Sequence, residues 1–338
     1  MIGQEFVHKK GDLAMRSKIL VVTSSEVSDV ESVLNFLPRE DTFVFKTDYF
    51  ENYGVTQETS SGTDTFSITD DSSRIESSDI SSIWYRRPGK KQQGMGDLEL
   101  ADKQYAEQEV SRFLRALWNS QYPHNVLWVN HPYLSWKIEC NKQLQIKEAC
   151  KAGLDVPNSI VTNDHERARD FLSKHGACIL KTFGTFSKDE EGWPMGVYTT
   201  PITLQDLEAN LDELKLCPVI LQSYIPKRLE LRVTVVGDNV FACAIHSQDS
   251  DRTKHDWRKY DFVNVKHEVF ELPQYVKDRL LTCMRSWGLK FGAIDMVITP
   301  DDRYVFLEVN PAGQWGWIED LTQLPIAEAI ATLLKNGR

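Results

Sequence analysis

Asp295 and Glu308 lie in a run, residues 292–311, that reads as a β-hairpin of two largely apolar strands. If Asp301 and Asp302 form a two-residue turn, pairing outward from it sets Asp295 directly opposite Glu308, with Cβ atoms about 4.5–5.5 Å apart. Opposed carboxylates repel, and their apolar neighbours imply a partly dry site, so something positive should lie between them. Asn310, two residues after Glu308, shares its face and adds a neutral oxygen. Two carboxylates and an amide oxygen suit Mg²⁺, which takes one or two carboxylates and completes its shell with water and nucleotide phosphate. Taken alone, the pair fits a solvent-facing hairpin, its acids matched by Lys or Arg, equally well.

Upstream, Glu230, Arg232 and Thr234 alternate with apolar residues and share one strand face, which in isolation reads as a surface ion pair. Lys181 interrupts an apolar strand, where a lysine either snorkels to water or meets an anion. Lys142 lies on a helix between two α/β segments. The strand VILQSYI (219–225) stops at Pro226, and its end, from Gln222 through Ser223 and Tyr224 to Ile225, offers backbone groups to the edge of a flat heterocycle. The P-loop string, G-x-G-x-x-G after a strand, G-x-S-x-G and H-E-x-x-H are all absent. P-loop NTPases, dinucleotide-binding dehydrogenases and the corresponding hydrolases therefore lose support.

The elements that must position these residues alternate from Lys18 onward, which predicts an α/β chain. Strands are expected at 18–23, 42–47, 82–86 and 126–130, with helices at 27–37 and 97–120. The Ser/Thr/Asp/Gly-rich stretch 54–81 reads as loop with an edge strand at 66–68. A helix over 134–152 closes at Gly153. Strand 159–163, helix 164–175, strand 177–182, an acidic segment at 188–196, strand 197–200, helix 203–215 and strand 219–225 follow. Two strands around Gly237-Asp238-Asn239 come next, then a polar loop at 248–261, a helix at 273–287, the acidic hairpin and a last helix from Pro325.

At 338 residues the chain holds roughly two domains' worth of sequence. Its 39 Lys+Arg against 49 Asp+Glu leave a net charge of −10, which argues against a general nucleic-acid binder. An acidic substrate would need a local basic patch or a metal. Six scattered cysteines, without a C-x-x-C pair, read as reduced thiols of a cytoplasmic protein. No apolar run reaches the roughly 20 residues of a membrane helix. Residues 1–14 read as a polar extension.

The series Lys142, Lys181, Gln222 to Ile225, Glu230-x-Arg232, Asp295 and Glu308-Val-Asn310 resembles, in order and rough spacing, the ATP-grasp superfamily over residues 16–336. The resemblance implies an ATP-grasp fold, α/β with α+β subdomains: a 1–15 extension, a Rossmann-like domain at 16–132, a central subdomain at 133–217 and a C-terminal subdomain at 218–338. It implies ATP and Mg²⁺ as cofactors. Lys142 and Lys181 would contact phosphates and the adenine side, Gln222, Ser223, Tyr224 and Ile225 would hold adenine, and Glu230 the ribose. Arg232 would face the phosphates or an acyl phosphate, with Asp295, Glu308 and Asn310 on Mg²⁺. Only Gly184 follows Lys181 where a glycine-rich phosphate loop is common, which departs from the family pattern.

Ile83-Trp84-Tyr85-Arg86-Arg87-Pro88, Ile225-Pro226-Lys227-x-x-Glu230-Leu-Arg232, Asp256-Trp257-Arg258 and Asn310-Pro311-x-Gly313-Gln314-Trp315 together resemble the graspetide ligases, maturases of microviridin-type peptides. Such enzymes join Asp/Glu carboxylates of a ribosomal precursor peptide to Thr/Ser hydroxyls or Lys amines. An unactivated carboxylate does not acylate a hydroxyl in water, whereas its acyl phosphate does, so catalysis requires phosphate neutralisation and alignment. The resemblance implies that Arg258 or Arg232 holds the substrate carboxylate and that Asp256 orients it or takes the nucleophile's proton. Arg86 and Arg87 would contact peptide, and Asp189, Glu190 and Glu191 in an insertion at 185–200, with Asp206 on the following helix, would hold the leader. A homodimer is expected on the same ground. Competing readings are an ATP-grasp ligase acting on an amino acid or small molecule, and a noncatalytic ATP-binding protein.

Overall fold

A computed structural model of the chain describes residues 17–89, 92–121, 126–183, 199–250 and 265–337. Two compact units form, one from residues up to 30, 37–128 and 334 onward, the other from 31–36 and 129–333. Residues 17–129 run through β1 (Lys18–Thr23), α1 (Asp29–Leu34), β2 (Thr42–Lys46), β3 (Gly54–Ser60), β4 (Thr63–Thr69), β5 (Arg74–Glu76), β6 (Ile80–Tyr85), α2 (Leu100–Ser120) and β7 (Leu127–Val129). β1 is apolar at consecutive positions, as a strand covered on both faces must be, and it pairs in parallel with β2 and β6. The sheet order is β2-β1-β6-β7.

The stretch 54–81, expected to be loop with one edge strand, is instead the antiparallel sheet β3-β4-β5. Ser61 and Gly62, both at positive φ, make its first turn between the paired Ser60 and Thr63. Polar composition disguised these strands. Their threonines favour extended backbone, and the only buried apolar side chains are Phe66, Ile68 and Ile75, Phe66 edge-on to Trp118 of α2.

The chain continues through α3 (Pro132–Glu139), α4 (Lys142–Lys151), β8 (Ser159–Thr162), α5 (His165–His175), β9 (Cys178–Lys181), β10 (Thr200–Ile202), α6 (Leu204–Ala209), α7 (Leu211–Leu216) and β11 (Val219–Ser223). It ends with β12 (Leu229–Val236), β13 (Asn239–Ile245), β14 (His267–Val269), α8 (Gln274–Trp287), β15 (Phe291–Ile298), β16 (Tyr304–Asn310), α9 (Gly316–Thr322) and α10 (Ile326–Asn336). The single helix expected over 134–152 is two, because Asn141 leaves the helical conformation and caps α4, its Oδ1 accepting from the Leu144 N–H at 2.9 Å. The helix expected at 203–215 likewise breaks at Asn210, and α9 has no counterpart in the sequence reading.

The second unit contains two sheets, β10-β9-β11-β8 and β14-β13-β12-β15-β16. α5, α6 and α7 cover the first through Ala168, Leu172, Leu207 and Leu214. On the five-stranded sheet, Leu231, Val233 and Val235 of β12 face a core with Val276, Leu280 and Met284 of α8. The same alternation turns Glu230, Arg232 and Thr234 to the opposite face.

Candidate functional site

Register determines what lies on that face. Arg232 on β12 pairs with Asp295 on β15, and Asp295 pairs in turn with Glu308 on β16, so the three form a row across adjacent strands. Thr234, Ala293 and Asn310 make the next row. The route to this register differs from the one expected. The hairpin loop is three residues, Pro300 to Asp302, with Asp302 at positive φ, and a one-residue bulge at Leu307 restores the pairing for Glu308 and Asn310. Bulges commonly re-aim side chains beside active sites, and this one turns Glu308 back onto Asp295.

The cations needed beside these acids come from two elements. The Arg232 guanidinium donates to Asp295 Oδ1 at 2.9 Å and to the Gln314 carbonyl at 3.0 Å. Lys142, the first residue of α4, places Nζ 2.8 Å from Glu308 Oε2. Glu230 and Arg232 are 4% and 6% exposed, which corrects their reading as a surface pair. Gly313 is required where its loop crosses the row: a Cβ there would stand 2.4 Å from Ala293 Cβ and 2.8 Å from Arg232 Nη2.

Between the two sheets of the second unit lies a cleft open to solvent. Lys181 and Gln222 line one wall, residues 223–225 the rim, and Glu230, Asp295 and Glu308 the other wall. Lys227 Nζ donates to Glu230 Oε1 at 2.7 Å. Burial pushes the Glu230 carboxyl above its usual range, opposed by Lys227 and a Ser247 hydrogen bond. The Tyr224 phenol is also raised, by burial and by Glu230. Lys227 is a lining residue that sequence reasoning did not single out, although it stands three positions before Glu230 in the quoted string.

Two backbone donors expected to read a heterocycle are already engaged. The Ser223 N–H donates to Asn158 O at 3.0 Å and the Tyr224 N–H to Ala177 O at 2.9 Å. The Gln222 side chain differs: its Oε1 is buried without a hydrogen-bond partner on the cleft wall. An orphaned acceptor costs free energy until a donor arrives, and the exocyclic amine of adenine is such a donor. The oxygen set of Asp295, Glu308 and Asn310 fits Mg²⁺ by donor chemistry. Among the described residues, no cluster of three or more His, Cys, Asp or Glu side chains is placed to hold a metal ion.

The remaining expected site residues lie elsewhere. Arg86 is 2% exposed, and its guanidinium bonds both carboxylate oxygens of Asp29, through Nε at 3.1 Å and through Nη2. The pair lies within the first unit. Neighbouring Arg87 is exposed, at positive φ. Asp206 is exposed but has a structural task, closing a capping box with Thr203 at the start of α6. Asp189, Glu190, Glu191, Asp256 and Arg258 lie outside the described residues. Cys178, Cys243 and Cys283 are buried and Cys140, Cys150 and Cys217 exposed, all as free thiols. No helix among the described residues is long and apolar enough to cross a membrane.

Comparison with known proteins bears on both units. Residues 18–132 match the MvdD pre-ATP grasp domain and residues 139–334 the RimK-like ATP-grasp domain. Nothing among the curated proteins matches the chain. Among solved structures, it is similar to a RiPP-associated ATP-grasp ligase of Chryseobacterium gregarium in complex with ADP and a leader and core peptide. That similarity has 30% identity and a TM-score of 0.83, over 95% of this chain and 97% of that one. The macrocyclase MdnC of Microcystis aeruginosa MRC, bound with precursor peptide MdnA, is 29% identical over 94% of this chain and 99% of that one, with a TM-score of 0.80. Macrocyclase MdnB of the same organism is 30% identical over 94% and 99%, with a TM-score of 0.72.

Proposed function

The chain belongs to the RimK-like ATP-grasp family, with an MvdD-type pre-ATP-grasp domain ahead of the grasp, and from that membership we propose that it macrocyclises a ribosomal precursor peptide. In this reading an Asp or Glu side-chain carboxylate of the peptide attacks the γ-phosphorus of ATP, ADP leaves, and an acyl phosphate results. A Thr or Ser hydroxyl, or a Lys amine, then attacks the acyl carbon and phosphate departs with the C–O electron pair. The nucleophile's proton passes to a base, leaving an ester or amide and the net loss of one water.

The observation that carries this reading is the row Arg232, Asp295, Glu308 on the wall of a cleft whose opposite wall presents Lys181 and the orphaned Gln222 Oε1. Gln222 and residues 223–225 would receive adenine, Glu230 the ribose, and Lys142 and Lys181 the phosphates. Arg232, pre-oriented by Asp295 and the Gln314 carbonyl, would present guanidinium hydrogen bonds to developing negative charge at no reorganisation cost. Asp295, Glu308 and Asn310 would hold Mg²⁺, which when bound neutralises charge on the transferring phosphoryl group. The similarity of the RiPP ligase and of MdnC, whose structures hold leader, core or precursor peptides, supports the substrate class. Roles for Arg87, Asp189, Glu190 and Glu191 towards the leader, for Asp256 and Arg258 towards the reacting groups, a homodimeric assembly and a cytoplasmic location belong to the same proposal.

The test is intact-mass analysis after incubation with ATP, Mg²⁺ and the precursor encoded beside the gene. One water mass lost per link, matched by ADP release, is expected. ADP release without mass loss from the peptide would refute macrocyclisation and favour a small-molecule ligase.

A further inference from the structure

Gln145 is completely buried on α4, one turn after Lys142 and on the same helix face. Its primary amide makes three hydrogen bonds. Oε1 accepts from the Val309 N–H at 3.0 Å, while Nε2 donates to the Val309 carbonyl at 3.1 Å and to the Ile138 carbonyl at 2.8 Å. β16 is the edge strand of its sheet, so its outward N–H and C=O groups lack a neighbouring strand. Asp155 takes that place at one end, its carbonyl accepting from the Phe306 N–H at 2.8 Å. Gln145 takes it at the other, its side-chain amide acting as a one-residue strand beyond the Leu307 bulge.

Val309 is the residue between Glu308 and Asn310. Its N–H belongs to the peptide that follows Glu308, and its carbonyl to the peptide that precedes Asn310. Gripping both fixes the backbone planes from which these two side chains project. The bulge makes that grip necessary, because the β15–β16 ladder changes register immediately before Glu308. The same helix delivers Lys142 to Glu308 at 2.8 Å. Gln145 therefore locks α4 to β16 at the one point that sets the Glu308–Asn310 pair and its cation together.

We infer that Gln145 is a positioning residue for metal-nucleotide binding: it holds Glu308 and Asn310 in the geometry that receives a divalent cation, and Lys142 beside them. This rests on the reading of the cleft as a nucleotide site. Gln145→Leu keeps the approximate volume and removes all three hydrogen bonds, leaving both Val309 groups buried and unsatisfied. Supporting groups behind metal ligands typically contribute about 10–100-fold to metal affinity, and a loss at the lower end, about tenfold, is expected here.

The experiment titrates free Mn²⁺ by electron paramagnetic resonance with the full chain and ADP, alongside ADP affinity without metal. Gln145→Leu should weaken Mn²⁺ uptake about tenfold and weaken metal-free ADP binding, which depends on Lys142 but not on Glu308 or Asn310, by clearly less. Leu172→Ala, in the core beneath the β10-β9-β11-β8 sheet, serves as a destabilised control and should change neither. Unaltered Mn²⁺ uptake in Gln145→Leu, or an equal loss in Leu172→Ala, overturns the inference. If Gln145→Leu does not fold, Gln145→Glu, which keeps an acceptor for the Val309 N–H and loses the donors, is read the same way: weaker uptake supports the inference and unchanged uptake overturns it. Wild-type protein that takes up no Mn²⁺ with ADP overturns the nucleotide-site reading as well, which separates that failure from failure of the Gln145 assignment alone.

Discussion

Removing the Arg232 guanidinium should destabilise the second unit mainly through Asp295. The two side chains are 7% and 12% exposed and meet at 2.9 Å, so Arg232→Leu leaves a desolvated carboxylate whose cross-strand neighbour, Glu308, carries the same charge. Breaking one partner of a buried ion pair costs about 3–5 kcal/mol. Arg232→Lys keeps the charge but cannot span both Asp295 Oδ1 and the Gln314 carbonyl, so it should lose one charge-assisted hydrogen bond, about 1.5–3 kcal/mol. The assay is urea-dependent hydrogen exchange of peptides covering β12 and β15, in wild type, Arg232→Leu, Asp295→Asn and the double variant. A coupling of about 2 kcal/mol or more is expected between the single changes, against the ~0.5 kcal/mol scatter of independent sites. Mg²⁺ with ADP should restore more protection to Arg232→Leu than to wild type, since the cation takes over part of the neutralisation. Additive single changes would refute the argument that Asp295 is the group Arg232 holds. Equal restoration by Mg²⁺ in both proteins would refute the claim that cation and guanidinium share a carboxylate.

Two further outcomes follow from buried charge. Burial raises the Glu230 carboxyl above the 4.5 of an ordinary glutamate, so the native state holds this proton more tightly than the unfolded chain. Its contribution to stability is unaffected well below 4.5, falls as pH rises from there through the raised native value, and stays lost above it. Glu230→Gln should flatten that fall in a pH series of melting temperatures, and an unchanged slope would show that Glu230 does not titrate in this way. In the first unit, Asp29→Ala should break the buried ion pair with Arg86 at a cost of up to about 3–5 kcal/mol. Hydrogen exchange in β1 and β6 should accelerate while ADP affinity holds; loss of ADP affinity with intact protection would instead assign Arg86 to ligand binding.

Local periodicity made much of this site legible. Alternation placed Glu230, Arg232 and Thr234 on one strand face and Glu308 with Asn310 on another, and it set Asp295 opposite Glu308. That last pairing arose from a turn the hairpin does not use. The bulge at Leu307 compensates for the longer loop, and a bulge leaves little trace in a pattern of apolar and polar residues. The β3-β4-β5 sheet was hidden for a related reason: strands whose outward faces are nearly all Ser, Thr and charged residues resemble loop unless the few buried positions are known.

Sequence by itself determined which side chains share a face and the order of chemistry-bearing residues along the chain. Those depend on backbone geometry over a few positions. Tertiary structure alone decided which faces are covered. It buried Glu230 and Arg232, matched Arg86 to Asp29 across 57 positions, and brought Gln145 to Val309 across 164. Strand periodicity specifies direction and leaves open what lies in that direction. Whether a Glu beside an Arg is a surface pair or part of a cleft wall depends on an element distant in sequence arriving to exclude water, and no local pattern encodes that arrival.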